Sequence, residues 1–250
     1  MSSKMKMESS CQDPKRSLVS HLTELRRRLI ISLAALFVGM GICFFYGQEK
    51  LSRLLMAPLE RLGQEVVLIA VTEGFQVQIK IAFIGGLVLA SPIILWHAIA
   101  FVLPALRGGE RRVFWPLFIS SVLLFVLGIV FAYLVVLDLA LQFLLVHFSV
   151  GLNQMLSAGK YLSFLISFLL PFGIIFEIPI MVLILTKMNV ITPAVLRQKR
   201  CYVIIGIFII AAVLTPPDVV SQVLLALPML LLYEVGVLVS ALAFRHKKAE

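Results

Sequence analysis

Long apolar stretches, separated by shorter polar and basic segments, dominate the pattern of this chain. A helix of about 20 residues crosses the roughly 30 Å hydrocarbon core of a bilayer. The pattern therefore predicts six membrane-spanning helices, at Leu29–Tyr46, Gln76–Leu106, Val113–Val136, Tyr161–Leu185, Tyr202–Leu214 and Val219–Phe244. The fifth covers only about 20 Å as a helix, so we expect local thinning of the bilayer or shielding by protein.

The segments that join the spans differ on the two sides. The Gly47–Phe75 segment carries leucines at helical spacing before Pro58, which predicts an amphipathic helix lying on the outer surface. The third span continues apolar to about Leu145, which predicts a helix that projects beyond the bilayer. At the last outer turn, Pro216 and Pro217 force a reversal and Asp218 can cap the next helix.

Composition agrees with a polytopic membrane protein. Hydrophobic residues make up 61% and charged residues 14% of the chain, and the mean hydropathy is +1.05, values far from those of a soluble domain. The first 28 residues are polar and basic, so we expect the first span to be the first inserted segment. Three scattered cysteines predict no disulfide.

Basic residues predict the orientation. Of the 22 lysines and arginines, 17 lie in the N-terminal tail, the second-to-third and fourth-to-fifth loops and the C-terminal tail. Positive loops stay cytoplasmic, so both termini are expected inside. We predict one membrane domain over 1–250, with a cytoplasmic segment 1–28, a six-span bundle 29–244 and a cytoplasmic tail 245–250. The net charge of +9 fits anionic lipid and gives no sign of nucleic-acid binding.

Proline recurs within the predicted spans. A proline removes one helical hydrogen bond and favours a bend, and bent helices build concave shapes. The residues concerned are Pro92, Pro171, Pro179 and Pro228.

Two acids lie within predicted spans, where an ionisable side chain is costly. Glu177 lies far inside the fourth span with no basic residue within a helical turn. It is either a functional carboxyl group or a glutamic acid hydrogen-bonded to a neighbouring span. Glu234 lies near the inner end of the sixth span, where we expect a structural partner, either a hydroxyl group or a basic loop residue.

Two further acids lie among arginines at the predicted cytoplasmic rim. Glu24 can pair with Arg27 or Arg28 at helical spacing, and Glu110 lies between Gly108-Gly109 and Arg111-Arg112. From spacing alone, each is either a solvated salt bridge or a binding group for a cation.

Catalytic and cofactor motifs are absent from the sequence. It contains no phosphate-binding glycine loop, no HExxH, no CxxC and no GxSxG motif, and its four histidines are dispersed. We therefore predict no enzyme, no cofactor and no metal site.

The chain resembles the TatC family, the multispanning core of the twin-arginine protein translocase, from about Leu18 to Phe244. The resemblance is carried by an ordered set of segments: H-L-T-E-L-R-R-R-L at 21–29, A-P-L at 57–59, T-E-G-F at 72–75, A-S-P-I-I-L at 90–95, F-V-L-P-A-L at 101–106, G-E-R-R at 109–112, F-A-Y at 131–133, Y-L-S-F at 161–164, F-E-I-P at 176–179, I-T-P at 191–193, R-Q-K-R at 197–200 and L-T-P-P-D-V-V-S-Q at 214–222. It implies an all-α integral membrane protein whose six helices form a bent, cup-like bundle.

The resemblance also implies the site residues. Glu24 and Glu110 match the acids that contact twin-arginine signal peptides, with Phe101 near the binding patch and Arg26 and Arg28 beside it. Glu177 matches an acid in the concave face that meets a polar side chain of a partner span. The matched outer turn and cap comprise Pro216, Pro217, Asp218 and Gln222.

Partners and location follow from the same resemblance. It implies twin-arginine signal peptides of folded proteins as ligands, and TatA-like and TatB-like single-span proteins as partners. It further implies a homo-oligomer, export driven by the proton-motive force, and the bacterial cytoplasmic (inner) membrane.

One segment departs from the family pattern. Trp96, His97 and Ile99 stand where the family often has tyrosine, glutamine and tryptophan, so the inner end of the second span is expected to pack differently.

Two other functions remain open from the residues. A secondary transporter of a small solute would use Glu177 as its coupling acid and predicts an internal repeat, and none is evident between residues 29–136 and 161–244. An intramembrane enzyme would need a second buried group, for which Glu234 is the candidate.

Overall fold

The computed structural model is helical over most of the residues it describes, which are 14–102, 111–147, 155–188, 190–214 and 219–249. Its helices are α1 (Pro14–Ile42), α2 (Gln48–Arg61), α3 (Glu73–Val102), α4 (Arg111–Phe131), α5 (Leu137–Leu141), α6 (Ala158–Ile175), α7 (Ile178–Lys187), α8 (Pro193–Gln198), α9 (Arg200–Leu214) and α10 (Val219–Ala249). Two short strands, β1 (Val66–Val67) and β2 (Leu156–Ser157), pair in parallel. Wider π-helical turns join α1 to α2 and α4 to α5.

Within the described residues, five helical segments are long and apolar enough to cross a membrane. They are His21–Arg61, Glu73–Val102, Phe114–Leu145, Ala158–Lys187 and Gln222–Leu242. These correspond to the first four and the sixth of the predicted spans. The predicted fifth span is α9, whose 15 residues make a helix of about 22 Å. The short apolar helix expected from the sequence is therefore present, and the count of six spans stays a prediction.

Helices α1 and α3 run antiparallel and touch at their glycines. A Cβ atom added to Gly39 would lie 2.8 Å from the carbonyl oxygen of Gly86, and one added to Gly86 would lie 2.5 Å from the Met40 nitrogen. Small residues let the two backbones approach in this way. The contact fixes which residues of the two helices lie level with each other.

We expect Gly39→Ala to destabilise the folded protein by about 1 to 3 kcal/mol, because its Cβ meets backbone atoms that cannot rotate away. Gly41 is the matched control, since a Cβ added there has nothing within 4 Å and alanine favours helix. Thermal unfolding of the purified protein in detergent measures both variants. Equal stability of the two would show that the helices do not touch at Gly39.

The fourth predicted span is interrupted where α6 ends and α7 begins. Pro179 has no N–H to donate to the carbonyl of Ile175, and its ring crowds that carbonyl group. Phe176 and Glu177 form the break, and the Glu177 amide donates to the Ile174 carbonyl at 3.1 Å. The helix is therefore interrupted at Glu177, two residues before Pro179, and the bend expected there stays a prediction.

The amphipathic helix predicted after the first span is present as α2, and its position at the membrane surface stays a prediction. Its apolar residues Leu55 and Leu59 are buried, at 3% and 1% exposure, against α3, α5 and α6. Pro58 leaves the Leu54 carbonyl without a helical donor, and Tyr133 donates to it instead. Tyr161 donates to the Leu55 carbonyl at 2.8 Å. Neighbouring helices therefore cover the apolar residues Leu55 and Leu59 of α2, and two tyrosine side chains bond its backbone.

Candidate functional site

The N-terminal part of α1 carries the first predicted site acid. Arg28 donates to Glu24 Oε1 from both Nε, at 3.0 Å, and Nη2, at 2.6 Å. The Arg28 side chain is 22% exposed and that of Glu24 38%. Of the two arginines within helical reach of Glu24, Arg28 therefore makes the pair, while Arg26 and Arg27 are exposed.

The C-terminal part of α3 lies beside this acid. His21 stacks on Phe101, with ring centroids 4.3 Å apart and planes 19° from parallel. The stack places Phe101 beside His21, which lies one helical turn before Glu24 in α1. We call His21, Glu24 and Arg28 of α1 together with His97 and Phe101 of α3 the α1–α3 rim. Glu110, the second predicted acid of this region, lies outside the described residues.

His97 lies in the same rim. Its Nδ1 atom is buried, and no hydrogen-bond partner faces it in the described part of the chain. The adjacent Trp96 turns toward α4, where it packs edge-to-face on Phe114 at 4.7 Å and Phe118 at 5.1 Å. The C-terminal end of α3 thus packs on α4 through Trp96.

Glu177 is half-buried at the break between α6 and α7. Ser121 of α4 donates to its Oε2 atom at 2.5 Å, and its Oε1 atom is buried without a hydrogen-bond partner among the described residues. The sequence predicted a carboxyl group without a basic neighbour but not the serine, since Ser121 lies in an apolar run that gave no such signal. One carboxyl oxygen is therefore bonded within the bundle, and the other can accept a further donor.

Glu234 has the basic partner expected from the sequence. Arg200 at the start of α9 bonds it at 2.5 Å, and both side chains are nearly half exposed. This ion pair links α9 to α10. Because Glu234 is exposed and ion-paired, it does not supply the second buried group that an intramembrane enzyme requires.

Sequence reasoning missed Glu73 as an organising residue. This acid is 7% exposed and accepts hydrogen bonds from the amides of Ile69 at 2.6 Å, Ala70 at 3.1 Å and Gly159 at 2.9 Å. The hydroxyl of Ser157 donates to it as well. The carboxylate thus joins the loop before α3 to the start of α6, and its position just before an apolar run was the available signal.

The predicted outer turn is described only in part. Pro216, Pro217 and Asp218 lie outside the described residues. Gln222 of α10 donates from Nε2 to the Phe208 carbonyl of α9 at 3.1 Å. Gln222 therefore ties the short helix to the last one.

Metal-ligating side chains are scattered over the described part of the chain. Within those residues, no three His, Cys, Asp or Glu side chains lie close enough together to hold an ion. The absence of a metal site from the whole chain stays a prediction.

Known proteins match this chain over most of its length. The family model described as Sec-independent protein translocase protein (TatC) matches residues 20–228. The TatC protein of Carboxydothermus hydrogenoformans is 43% identical over 92% of this chain and 94% of its own length. That of Aquifex aeolicus is 44% identical over 92% of this chain and 97% of its own, and that of Escherichia coli strain K12 is 42% identical over 89% and 87%.

Solved structures match as well. A crystal structure of the twin-arginine translocase receptor TatC superposes with a TM-score of 0.80 at 42% identity, covering 89% of this chain and 99% of that one. A second, in the detergent DDM, gives a TM-score of 0.81.

Proposed function

The chain belongs to the TatC family of Sec-independent protein translocase proteins, and we propose that its α1–α3 rim, with Glu110, binds the arginine pair of twin-arginine signal peptides. The family comprises translocase receptors and is not an enzyme family. The function of the chain is therefore protein transport.

The observation that carries the proposal is the state of Glu24. The Glu24 side chain is 38% exposed, and its carboxylate already accepts two hydrogen bonds from a guanidinium, that of Arg28. A carboxylate bonds a planar guanidinium through two parallel hydrogen bonds, which an ammonium group cannot reproduce. An acid in this environment is suited to an arginine ligand, and two acids are suited to an arginine pair.

The neighbouring rings provide an apolar contact. His21 and Phe101 stack next to Glu24, and a stacked aromatic surface packs against the apolar part of a peptide. We assign Phe101 to contact with the signal sequence beside its arginines. Arg26, which is exposed on α1, is assigned to anionic lipid at the membrane surface.

Orientation and topology belong to the same proposal. Six spans, a single membrane domain over 1–250 and cytoplasmic termini place the α1–α3 rim on the side where signal peptides are made. The distribution of lysine and arginine supports this arrangement. The bacterial cytoplasmic membrane is the proposed location.

Glu177 is proposed to receive a polar side chain of a TatA-like or TatB-like partner helix. Its buried Oε1 has no partner in the described part of the bundle, and a polar group in a membrane gains from a hydrogen bond across helices. The interruption between α6 and α7 leaves this acid at a helix break. A homo-oligomer and use of the proton-motive force complete the proposal. At the outer turn, Pro216, Pro217 and Asp218 are proposed to cap α10, whose Gln222 bonds α9.

We expect Glu177→Ala to lower the export rate about fivefold, because it removes a hydrogen-bond partner from both Ser121 and the partner helix, whereas Glu177→Gln retains most of it. Export of a folded reporter from cells that depend on this protein measures both. Loss in both variants would contradict the hydrogen-bond role and favour a role that needs ionisation.

A secondary transporter with Glu177 as coupling acid is the second candidate. The observation in its favour is the same unpartnered oxygen, since a buried acid in a span often marks an ion path. The family membership of the chain favours the translocase. Uptake of solutes into vesicles that contain this protein alone distinguishes the two.

The test of the proposed site uses the purified full-length protein in nanodiscs and a fluorescent signal peptide. We expect the arginine-arginine peptide to bind and its lysine-lysine counterpart to bind about tenfold more weakly or not at all, because lysine loses the two-oxygen geometry. Equal binding of the two peptides would overturn the assignment of a guanidinium site.

A further inference from the structure

Glu24, the acid assigned to the signal peptide, is held by a guanidinium of the protein itself. Both Arg28 nitrogens bond the same oxygen, Oε1, at 3.0 and 2.6 Å. The Arg28 side chain is the less exposed of the two, at 22%. A signal arginine that binds Glu24 must therefore displace Arg28 or share the carboxylate with it.

The register of α1 and α3 places His97 level with Arg28. Gly39 touches Gly86; Arg28 precedes Gly39 by eleven residues, and His97 follows Gly86 by eleven residues. Eleven residues make about three helical turns, so each residue lies on the same face of its helix as the glycine that makes the contact. The His21–Phe101 stack, two turns of α1 further on, shows that the helices are still in contact there.

His97 carries the acceptor that this position requires. Its Nδ1 atom is buried and has no hydrogen-bond partner in the described residues. A neutral imidazole has one nitrogen that accepts a hydrogen bond, and a guanidinium offers five donors. A buried polar atom without a partner is costly, so a nearby donor that becomes free will be drawn to it.

We propose that Arg28 is an internal competitor for Glu24, and that His97 Nδ1 accepts a hydrogen bond from Arg28 once a signal arginine has displaced it. This inference rests on the proposed function of the rim. Arg28 then acts through Glu24, and His97 acts through Arg28. Both are positioning residues for signal binding.

Glu24 favours a guanidinium ligand for a geometric reason that does not depend on Arg28. Arg28 bonds one oxygen of Glu24, whereas an arriving arginine can bond both oxygens in parallel. A lysine offers a single ammonium group and replaces the internal pair poorly. The competitor weakens every cationic ligand by the same factor, so the lysine peptide falls below a useful affinity first.

Arg28→Gln is the first test, measured as binding of arginine-arginine and lysine-lysine signal peptides to the full-length protein in nanodiscs. Arg27→Gln is the matched control, because it removes the same charge from the exposed face of the same helix. We expect Arg28→Gln to bind both peptides about three- to tenfold more tightly than Arg27→Gln does. Affinities within twofold of the control, or weaker binding in Arg28→Gln, would overturn the inference.

His97→Leu is the second test, made in both backgrounds. In the presence of Arg28 it should weaken binding of the arginine-arginine peptide several-fold, because the displaced guanidinium has no acceptor. In the Arg28→Gln background, His97→Leu should leave binding of the peptide unchanged. In the presence of Arg28, His97→Gln keeps a hydrogen-bond acceptor and should bind the peptide as the wild type does. An equal loss in the two backgrounds would show that His97 acts on folding or packing alone.

The outcomes separate this inference from the proposed function. If the wild-type protein does not distinguish the two peptides, or if Glu24→Gln leaves binding unchanged, the proposed site itself fails. If both of those results are as expected but the Arg28 and His97 variants do not behave as predicted, the proposed site stands and only the internal competition by Arg28 is rejected.

Discussion

Replacing Glu24 and Glu110 together by glutamine is expected to weaken binding of a twin-arginine signal peptide about a hundredfold, and either replacement alone about tenfold. Each glutamine keeps the shape of the side chain and removes the charge that assists the bond to a guanidinium. The two effects should multiply if each acid holds one arginine, because separate contacts contribute independently. Binding is measured with the purified protein in nanodiscs.

Glu49→Gln is the control for the loss of one negative charge. Glu49 pairs with Arg53 at 2.6 Å, the same distance and the same helical spacing as the shorter Glu24–Arg28 contact, but it lies on α2. The Glu49→Gln substitution should leave binding of the signal peptide within about twofold of the wild type, as expected for an exposed pair away from the site. A loss in Glu49→Gln as large as in Glu24→Gln would mean that net charge, and not the rim, governs binding.

Replacing Glu73 by alanine is expected to lower the melting temperature by about 5 to 15 °C, a larger loss of stability than we expect from Gly39→Ala. It leaves the amides of Ile69, Ala70 and Gly159 and the Ser157 hydroxyl without their acceptor. The loop before α3 and the start of α6 would lose the group that joins them. The paired strands β1 and β2, which lie beside these two segments, would lose it too. Fluorescence-detected unfolding in detergent measures the change.

Glu73→Gln separates the hydrogen bonds from the side-chain volume. It keeps one acceptor oxygen but turns an NH₂ group toward donors, so its melting temperature should fall between wild type and Glu73→Ala. Lys80 supports the same region by donating to the Gly159 carbonyl at 2.8 Å and to Ser163 at 2.7 Å. A melting temperature of Glu73→Ala equal to that of wild type would contradict the proposed link between the two segments.

The sequence predicted the membrane helices well because their signal is local. Apolar runs long enough to span a bilayer were found where the structure has them, and the short α9 was recognised by its length. The protein contacts of α2 could not be predicted from the sequence. Its apolar face has the same periodicity whether it rests on lipid or on protein, and only the three-dimensional contacts of Leu55 and Leu59 distinguish the two.

The site was predicted in part for similar reasons. Helical spacing leaves Arg27 and Arg28 as possible partners of Glu24, and only the structure shows that Arg28 makes the pair. Ser121 and Glu73 gain their roles from residues 56 and 84 positions away, and no local pattern reports such contacts. The isolated position of Glu177 and the basic partner of Glu234 could be read from the sequence, because charge within an apolar span is itself a signal.

Reception of the signal peptide by the α1–α3 rim at the cytoplasmic face is tested most directly by photo-crosslinking. A crosslinking residue is placed beside the twin arginines of a synthetic signal peptide, and its products are mapped on this protein in oriented vesicles. We expect products between His21 and Arg28 and around Phe101, formed in inside-out vesicles and lost with the lysine-lysine peptide. Products in α2 or α9, or equal yields in right-side-out vesicles, would contradict reception at the rim.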